Sequence, residues 1–432
     1  MRTFVRLLMM LAAFLAPALA GAEVSREEIR ELRTEIAALS ARLAELEARA
    51  GLESAGGAEP APAPQPPAPV PPGSGAPPST SGEPPHLVAA AADWSDRVQL
   101  SGDFRYRWES IDREAGDSRE RQRIRARPAI RARVTETVRA GFGLATGGDS
   151  PVSANQTLGG GGSSKPIFLD LAYFEWRGLD HARILGGKFR RTLRRPGDSS
   201  LIWDDDWRPE GFAAVWDDGT LYGTVLTTWL IDDGDLGTEL NVLLQGGGRL
   251  ALGRDTALDI NAGYYQLDLA GREPLLEQAG FFGNSSTADG RYLYDYRVVE
   301  LGGELEFAVG GRAASVFADY AQNLDADDYD TGWALGGTLG AADDVGDWSL
   351  RYFYQELEAD AVLGLLTDSN FGGGGTDARG HVLSADYVIA TNWVFRLTYF
   401  DNVINGDAVD RGDPGAEELD YDRLILDFRF NY

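Results

Sequence analysis

Apolar and polar residues alternate with a period of two through most of the chain from Arg97 onward. Five apolar or aromatic residues share one face of residues 97–110: Val98, Leu100, Phe104, Tyr106 and Trp108. The opposite face is polar or charged, as expected of a β-strand that separates two different environments. Fourteen alternating residues exceed the roughly 5–6 residues of an ordinary strand. The pattern therefore predicts the long, two-faced strands of a transmembrane β-barrel.

The same alternation recurs in sixteen segments, which lie near 97–110, 119–134, 138–148, 166–177, 182–190, 211–217, 220–232, 237–249, 254–268, 295–309, 312–323, 330–341, 347–358, 377–389, 392–404 and 420–432. Short turns alternate with long loops rich in Gly and Asp, which is the arrangement of an outer-membrane barrel. Backbone groups inside lipid must all be hydrogen-bonded, so the sheet has to close on itself. We predict an all-β fold over residues 93–432, a transmembrane antiparallel up-and-down β-barrel of about 16 strands. Poor alternation in a few segments leaves 14 or 18 strands as alternatives.

The first 20 residues have the features of an export signal. Arg2 and Arg6 precede the apolar stretch 7–15, and residues 18–20 (Ala-Leu-Ala) offer small side chains for cleavage after Ala20. The alternative is a membrane anchor, but the apolar stretch is too short to span a bilayer. No later stretch has the ~18 uninterrupted apolar residues of a transmembrane helix.

Residues 21–51 and 52–92 precede the barrel and differ from it in composition. Apolar residues spaced alternately by three and four predict a short coiled-coil helix within residues 21–51, with a lone surface helix as the alternative. Residues 52–92 are rich in Pro, Ala and Gly and lack the apolar side chains of a core. We interpret this segment as an extended periplasmic linker.

The overall charge argues against one class of partner, and the motif content argues against catalysis. A formal charge of −27 does not suit nucleic-acid binding. The chain has no Cys, its three His residues are far apart, and the stretch 159–165 departs from the phosphate-loop spacing. The acidic stretch 325–330 leaves a weak calcium site as a hypothesis. We therefore expect no cofactor, no resident metal and no enzymatic activity.

Charged residues of inward parity are expected to line the barrel interior, because arginines facing lipid near its midplane would cost ~2–4 kcal/mol each. The predicted basic wall comprises Arg105, Arg107, Arg121, Arg123, Arg125, Arg127, Arg131, Arg133, Arg423 and Arg429. The predicted acidic wall and loop comprise Asp204, Asp205, Asp206, Glu210, Asp259, Glu300, Glu304, Glu306 and Asp319. A basic wall opposite an acidic one would impose a transverse field on solutes. Alternatively, these charges only hydrate the interior and pair with one another.

Three sequence features resemble the bacterial outer-membrane family called "putative porin". They are the stretch 203–211 (Trp-Asp-Asp-Asp-Trp-Arg-Pro-Glu-Gly), the arginine-rich second strand and the Phe-Arg-Phe-Asn-Tyr ending. The resemblance covers residues 94–432 and implies a general-porin-like passive channel without catalytic residues, usually a homo-trimer. It also implies that the loop 191–210 folds into the barrel. Phe428, Phe430 and Tyr432 resemble the terminal signal that the barrel assembly machinery recognises.

A lumen of about sixteen strands is too wide for side chains to fill. We therefore predict an outer-membrane porin that allows passive diffusion of small polar solutes or ions. The expected partners are outer-membrane lipid, lipopolysaccharide and the barrel assembly machinery. Two alternatives remain open, an anion-specific channel and a structural barrel that tethers the outer membrane to periplasmic layers through the coiled coil.

Overall fold

The computed structural model describes residues 97–114, 116–231, 240–276 and 280–432. Sixteen antiparallel strands form the wall: β1 (Val98–Arg113), β2 (Arg119–Arg133), β3 (Val138–Thr146), β4 (Ile167–Leu179), β5 (Ala182–Lys188), β6 (Glu210–Asp217), β7 (Leu221–Thr228), β8 (Asn241–Ala251), β9 (Ala257–Leu267), β10 (Tyr296–Val309), β11 (Arg312–Asn323), β12 (Thr331–Ala341), β13 (Trp348–Leu357), β14 (Ala378–Ala390), β15 (Trp393–Ile404) and β16 (Leu419–Asn431). The predicted fold class and strand count are confirmed. The predicted signal peptide, coiled coil and linker lie outside the described residues.

The sheet closes because β1 pairs with β2 on one side and with β16 on the other. Tyr106, for example, is the register partner of both Ile124 in β2 and Phe428 in β16. Every other wall strand pairs with its sequence neighbours. A two-residue strand, Gln156–Thr157, adds to β2 where the pairing with β3 has ended. The closed wall therefore satisfies its backbone hydrogen bonds internally, as a lipid-embedded sheet must.

Connections alternate between two to six residues at one end of the barrel and mostly longer segments at the other. We call these the turn end and the loop end. The long connections include residues 147–166, 189–209, 268–295 and 358–377, which agree with the predicted loops. One loop carries the short helix α1 (Gly406–Arg411), and three single-turn 3₁₀ segments lie at Pro196–Asp198, Gly364–Leu366 and Phe371–Gly373.

Side-chain exposure follows the period of two along the strands. On the outer face, large apolar side chains are exposed, including Phe104, Leu301 and Leu335. The intervening side chains point into the barrel, where Arg105, Arg107 and many others are buried. An apolar exterior around a charged interior is the pattern of a barrel that sits in lipid.

Candidate functional site: the barrel interior

One long connection folds inside the barrel and packs against its wall. Residues 189–209, here called the inner loop, include Trp203 and Trp207, which are 2% and 3% exposed. Their rings stack with centroids 4.7 Å apart, and Trp203 meets the ring of Tyr265 on β9 edge-on at 5.1 Å. Phe189 and Leu201 of the same loop have no exposed surface. This apolar cluster anchors the inner loop to the inward faces of the neighbouring strands.

The turn of the inner loop needs a glycine where it meets the wall. Gly197 has φ +53°, and a Cβ added there would lie 2.3 Å from the ring of Phe317 on β11. The Gly197 N–H donates to Oε2 of Glu304 at 2.9 Å, and its carbonyl accepts from the Arg351 guanidinium of β13. Both steric room and backbone conformation therefore select glycine at this position. The contact fixes the position of the loop across the interior.

A second connection also enters the barrel. Residues 358–377, here called the second inner loop, bury Ala361, Val362 and Leu366 in the cluster that holds the two tryptophans. The two loops meet at Asp204, whose N–H donates to the carbonyl of Leu366 at 2.8 Å. The N–H of Ser369 donates in turn to Oδ2 of Asp204 at 3.0 Å. The two loops together fill one side of the interior.

A charged cavity of about 630 Å³ lies between these loops and the wall. Its arginines are Arg105, Arg107, Arg125, Arg127, Arg190, Arg191, Arg195, Arg208, Arg351, Arg396 and Arg429. Its aspartates are Asp198, Asp204, Asp205, Asp206, Asp368, Asp386 and Asp427. Eleven arginines against seven aspartates give this charged cavity a formal excess of four positive charges, with every aspartate counted as ionised. The chain as a whole is strongly acidic, so the basic excess is a local property of the cavity.

Ion pairs organise the basic side of the charged cavity. Asp206 of the inner loop accepts from Arg125 at 3.0 Å and from Arg127 at 2.6 Å, so the loop is tied to β2. Arg107 holds both carboxylate oxygens of Asp427 at 2.7 Å. Such two-pronged contacts are the strongest arginine–carboxylate geometry. They fix the guanidinium groups in place along the wall.

A similar pair lies farther along the wall, where Arg396 of β15 holds both oxygens of Asp386 of β14 at 2.5 and 2.6 Å. Arg195 of the inner loop pairs with Asp205 of the same loop. Arg208 lies 3.5 Å from Asp170, a residue of β4. Much of the charge in the cavity is therefore matched in pairs.

Two aspartates of the inner loop have pKa values that are shifted in opposite directions. Burial, with the nearby carboxylates Asp368 and Asp206, raises the pKa of Asp204 to about 8. Burial also opposes ionisation of Asp206, but Arg125 and Arg127 outweigh it and hold the pKa of Asp206 below its usual range. At pH 7, Asp204 is accordingly neutral and Asp206 is charged.

Five of the ten arginines of the predicted basic wall line the charged cavity: Arg105, Arg107, Arg125, Arg127 and Arg429. Nearer the loop end, Arg121, Arg123 and Arg423 surround the buried Glu109. Arg131 and Arg133 are exposed near the turn end. The basic wall is therefore divided along the barrel axis, and only its middle part adjoins the cavity.

The predicted acidic wall does not line the charged cavity. Asp204, Asp205 and Asp206 do, but Asp259, Glu300, Glu304, Glu306 and Asp319 are separated from it. The reason is the inner loop, which covers the acidic strands. Arg194 of the loop lies 3.3 Å from Asp259, and Glu300 and Asp319 are 2% and 3% exposed. Glu306 pairs with Arg249 and Glu210 with Lys188.

Several cavity residues escaped the sequence interpretation. Arg190, Arg191, Arg195 and Arg208 belong to the inner loop, where strand parity offers no guide. Arg351, Arg396 and Asp386 have inward parity in strands that had been located correctly. Inward parity was the signal that could have found these three residues.

Within the described ranges, no group of three or more His, Cys, Asp or Glu side chains is placed to hold a metal ion. Asp325, in the stretch considered for calcium, pairs with Arg297 at 2.7 Å. None of the helices described is long and apolar enough to cross a membrane.

A closed sixteen-stranded barrel with inward-folded loops and a charged cavity defines the class of outer-membrane porins. A family profile described as "Putative porin" matches residues 112–227 and 287–411, together more than half of the chain. The chain belongs to this family, and its barrel resides in the bacterial outer membrane. A comparison with curated proteins found no match.

A comparison with solved structures found outer-membrane proteins at low sequence identity. OprB of Pseudomonas putida, in a high-pH structure, is 10% identical over 78% of this chain and 95% of its own, with a TM-score of 0.52. OmpF of Salmonella typhi, solved with daunomycin, is 11% identical over 78% and 97%, with a TM-score of 0.49. A loop-deletion mutant of OmpT of Vibrio cholerae is 14% identical over 78% and 99%, with a TM-score of 0.45.

Proposed function

We propose that this porin is a passive channel for small polar solutes and ions and that it favours anions. The route passes through the charged cavity between the inner loop and the wall formed by β1, β2 and β13–β16. The observation that carries the proposal is the formal excess of four positive charges in that cavity. A low-dielectric wall that carries fixed positive charge raises the local concentration of anions and lowers that of cations.

The selectivity we propose differs in origin from a field between two opposite walls. The carboxylates Glu300 and Asp319 lie beneath the inner loop, so they act on its underside rather than on a passing solute. Four of the seven aspartates that line the cavity belong to the inner loop, and two of these, Asp205 and Asp206, are paired with arginines. Net positive charge, and not a transverse field, is therefore the basis of the expected preference.

Single-channel recording of the refolded full chain in a planar bilayer tests this proposal. Stable conductance steps are expected, and in a KCl gradient the sign of the reversal potential should show that chloride is more permeant than potassium. A correctly folded barrel without conductance would contradict the channel assignment. A cation-selective reversal potential would contradict the anion preference alone.

We propose in addition that the protein assembles as a homo-trimer, contacts lipopolysaccharide and is inserted by the barrel assembly machinery. The support for insertion lies in β16, where the rings of Phe430 and Phe104 are 5.9 Å apart and Phe428 lies on the same face. Cross-linking of the detergent-purified protein tests the trimer. Replacement of Phe428, Phe430 and Tyr432 by alanine should lower the amount of folded barrel in the outer membrane if the terminal strand is the recognised signal.

A further inference from the structure

Three arginines stand side by side across the closure of the barrel. In the strand register, Arg105 of β1 faces Arg125 of β2 on one side and Arg429 of β16 on the other. All three line the charged cavity. Like charges directly opposite each other on neighbouring strands are destabilising. Compensation by nearby carboxylates would be expected.

The nearest carboxylates are already engaged by other arginines. Asp427 has both oxygens bound by Arg107 at 2.7 Å. Asp103 binds Arg125 at 2.8 Å and Arg127 at 2.7 Å. These contacts balance the charge of Arg125, but they leave Arg105 and Arg429 without a close carboxylate of their own.

Arg105 is 9% exposed, and the only side-chain hydrogen bond that it makes to a described residue runs from Nη2 to the side-chain oxygen of Asn155 at 2.5 Å. Its nearest carboxylate oxygen, on Asp427, is 3.9 Å away, and its Nε is buried without a hydrogen-bond partner. In the described part of the chain, no carboxylate oxygen lies within 4.0 Å of the Arg429 guanidinium.

We propose that Arg105 and Arg429 form a binding site for the oxyanion group, carboxylate or phosphate, of a permeating solute. The inference rests on the proposed channel function and adds a discrete site to it. A guanidinium presents parallel N–H donors that match two oxygens of a carboxylate or phosphate. Two adjacent guanidinium groups therefore distinguish an oxyanion from a spherical ion such as chloride.

A third arginine supports the same assignment. Arg190 of the inner loop is exposed and lines the same cavity, and it has no ion-pair partner among the described residues. It supplies positive charge from the loop, whereas Arg105 and Arg429 supply it from the wall. A solute with two anionic groups can engage the wall pair and the loop together. Small dicarboxylates and phosphate esters have this chemistry.

A binding site changes how transport depends on concentration. Flux of a solute that only diffuses rises in proportion to its concentration, whereas flux through an occupied site saturates. Bound oxyanion should also obstruct the passage of chloride. The inference therefore predicts saturation and block, neither of which follows from an anion preference alone.

The test measures chloride current through single channels in symmetric KCl while inorganic phosphate or succinate is added. Each probe should reduce the chloride current in a saturable manner at millimolar concentration. Inorganic phosphate tests recognition of a phosphate group, and succinate tests recognition of carboxylates. Block by one probe alone would assign the site to that group.

Three variants at Arg105 and Arg429 locate the site, and a fourth variant, at Arg312, is the control. Arg105→Gln and Arg429→Gln should each raise the half-blocking concentration about tenfold, a change equivalent to about 1.4 kcal/mol. Arg429→Lys keeps the charge but loses the forked geometry, so it should weaken block while the reversal potential in a KCl gradient stays close to that of the wild type. Arg312→Gln removes one exposed arginine at the turn end of β11 and should leave block unchanged.

The outcomes separate the two proposals. Absence of any conductance from a folded barrel would overturn the channel function. Anion-selective conductance that neither probe blocks would overturn the binding site and leave the channel function standing. Equal half-blocking concentrations in Arg312→Gln and Arg429→Gln would also overturn the site, because block would then depend on the overall charge of the barrel rather than on Arg429. If the variants at Arg105 and Arg429 fail to fold, saturation and block in the wild-type protein still decide the question.

Discussion

The anchoring of the inner loop by Trp203 can be tested by replacing this residue with alanine. The side chain is 2% exposed and contacts both Trp207 and Tyr265. Removing a buried tryptophan costs about 3–5 kcal/mol, most of it from lost burial and the cavity left behind. The wall itself should persist, since its sixteen strands pair without the loop.

The expected result follows from the size of that loss. A reduction of about 4 kcal/mol changes the ratio of anchored to released loop by about a thousandfold. A loop that is released about 0.1% of the time would then be released about half of the time. Because the inner loop fills much of the interior, release should appear as a second, larger conductance level with frequent transitions between the two.

Planar-bilayer recording of Trp203→Ala measures the two levels and their occupancies. Trp216→Ala is the matched control, because Trp216 is 41% exposed and has outward parity on β6. The control should retain a single level. If Trp203→Ala gives one level at the wild-type conductance while its gel mobility shows a folded barrel, the anchoring argument is wrong.

Three further predictions concern the inner loop. Asp206→Asn removes a negative charge from the charged cavity. A unit charge about 5 Å from an ion in water changes the local concentration of that ion by about two- to fourfold. The ratio of anion to cation permeability, measured from the reversal potential, should therefore rise by at least that factor. Because the pKa of Asp204 is raised to about 8, its carboxyl group ionises as the pH rises from 7 to 9, and the anion preference of the channel should fall over that interval. Asp204→Asn should abolish this change. A wild-type reversal potential that does not change with pH would refute the assignment. Gly197→Ala places a Cβ 2.3 Å from Phe317 in a left-handed conformation that itself costs about 1–2 kcal/mol, so proteolysis within residues 189–209 should become faster.

The strands were predictable because lipid imposes a strict rule on them. One face must be apolar and the other face meets water, so alternation marks nearly every strand, including β1 and β16. The segments that alternated poorly, near 182–190, 211–217 and 237–249, have a physical explanation. Leu185, Ala213 and Leu243 point inward but are buried against the inner loop, so both faces of these strands are apolar.

The site was less predictable because it depends on where two loops fold. Parity identified the arginines of β1, β2 and β16, because these strands face a charged cavity and meet the inner loop through ion pairs rather than through apolar packing. The same reasoning placed Glu300 and Asp319 in the open interior, but the inner loop covers them. Loss of alternation in β5, β6 and β8 was the sequence signal that this side of the interior is apolar and filled. Combined with the expectation that residues 191–210 fold into the barrel, this signal would have identified the strands that the loop covers.

The closure of the barrel has a consequence for the order of assembly. The terminal residue is part of the seam, since the Tyr432 carbonyl accepts from the Gly102 N–H at 2.8 Å and the Tyr432 N–H donates to the Gly102 carbonyl at 3.0 Å. The first and last strands are thus joined by contacts between residues far apart in the sequence, such as the ion pair between Arg107 and Asp427. A chain that lacks β16 cannot form this seam. The wall therefore closes only when both ends of the barrel sequence are available to pair.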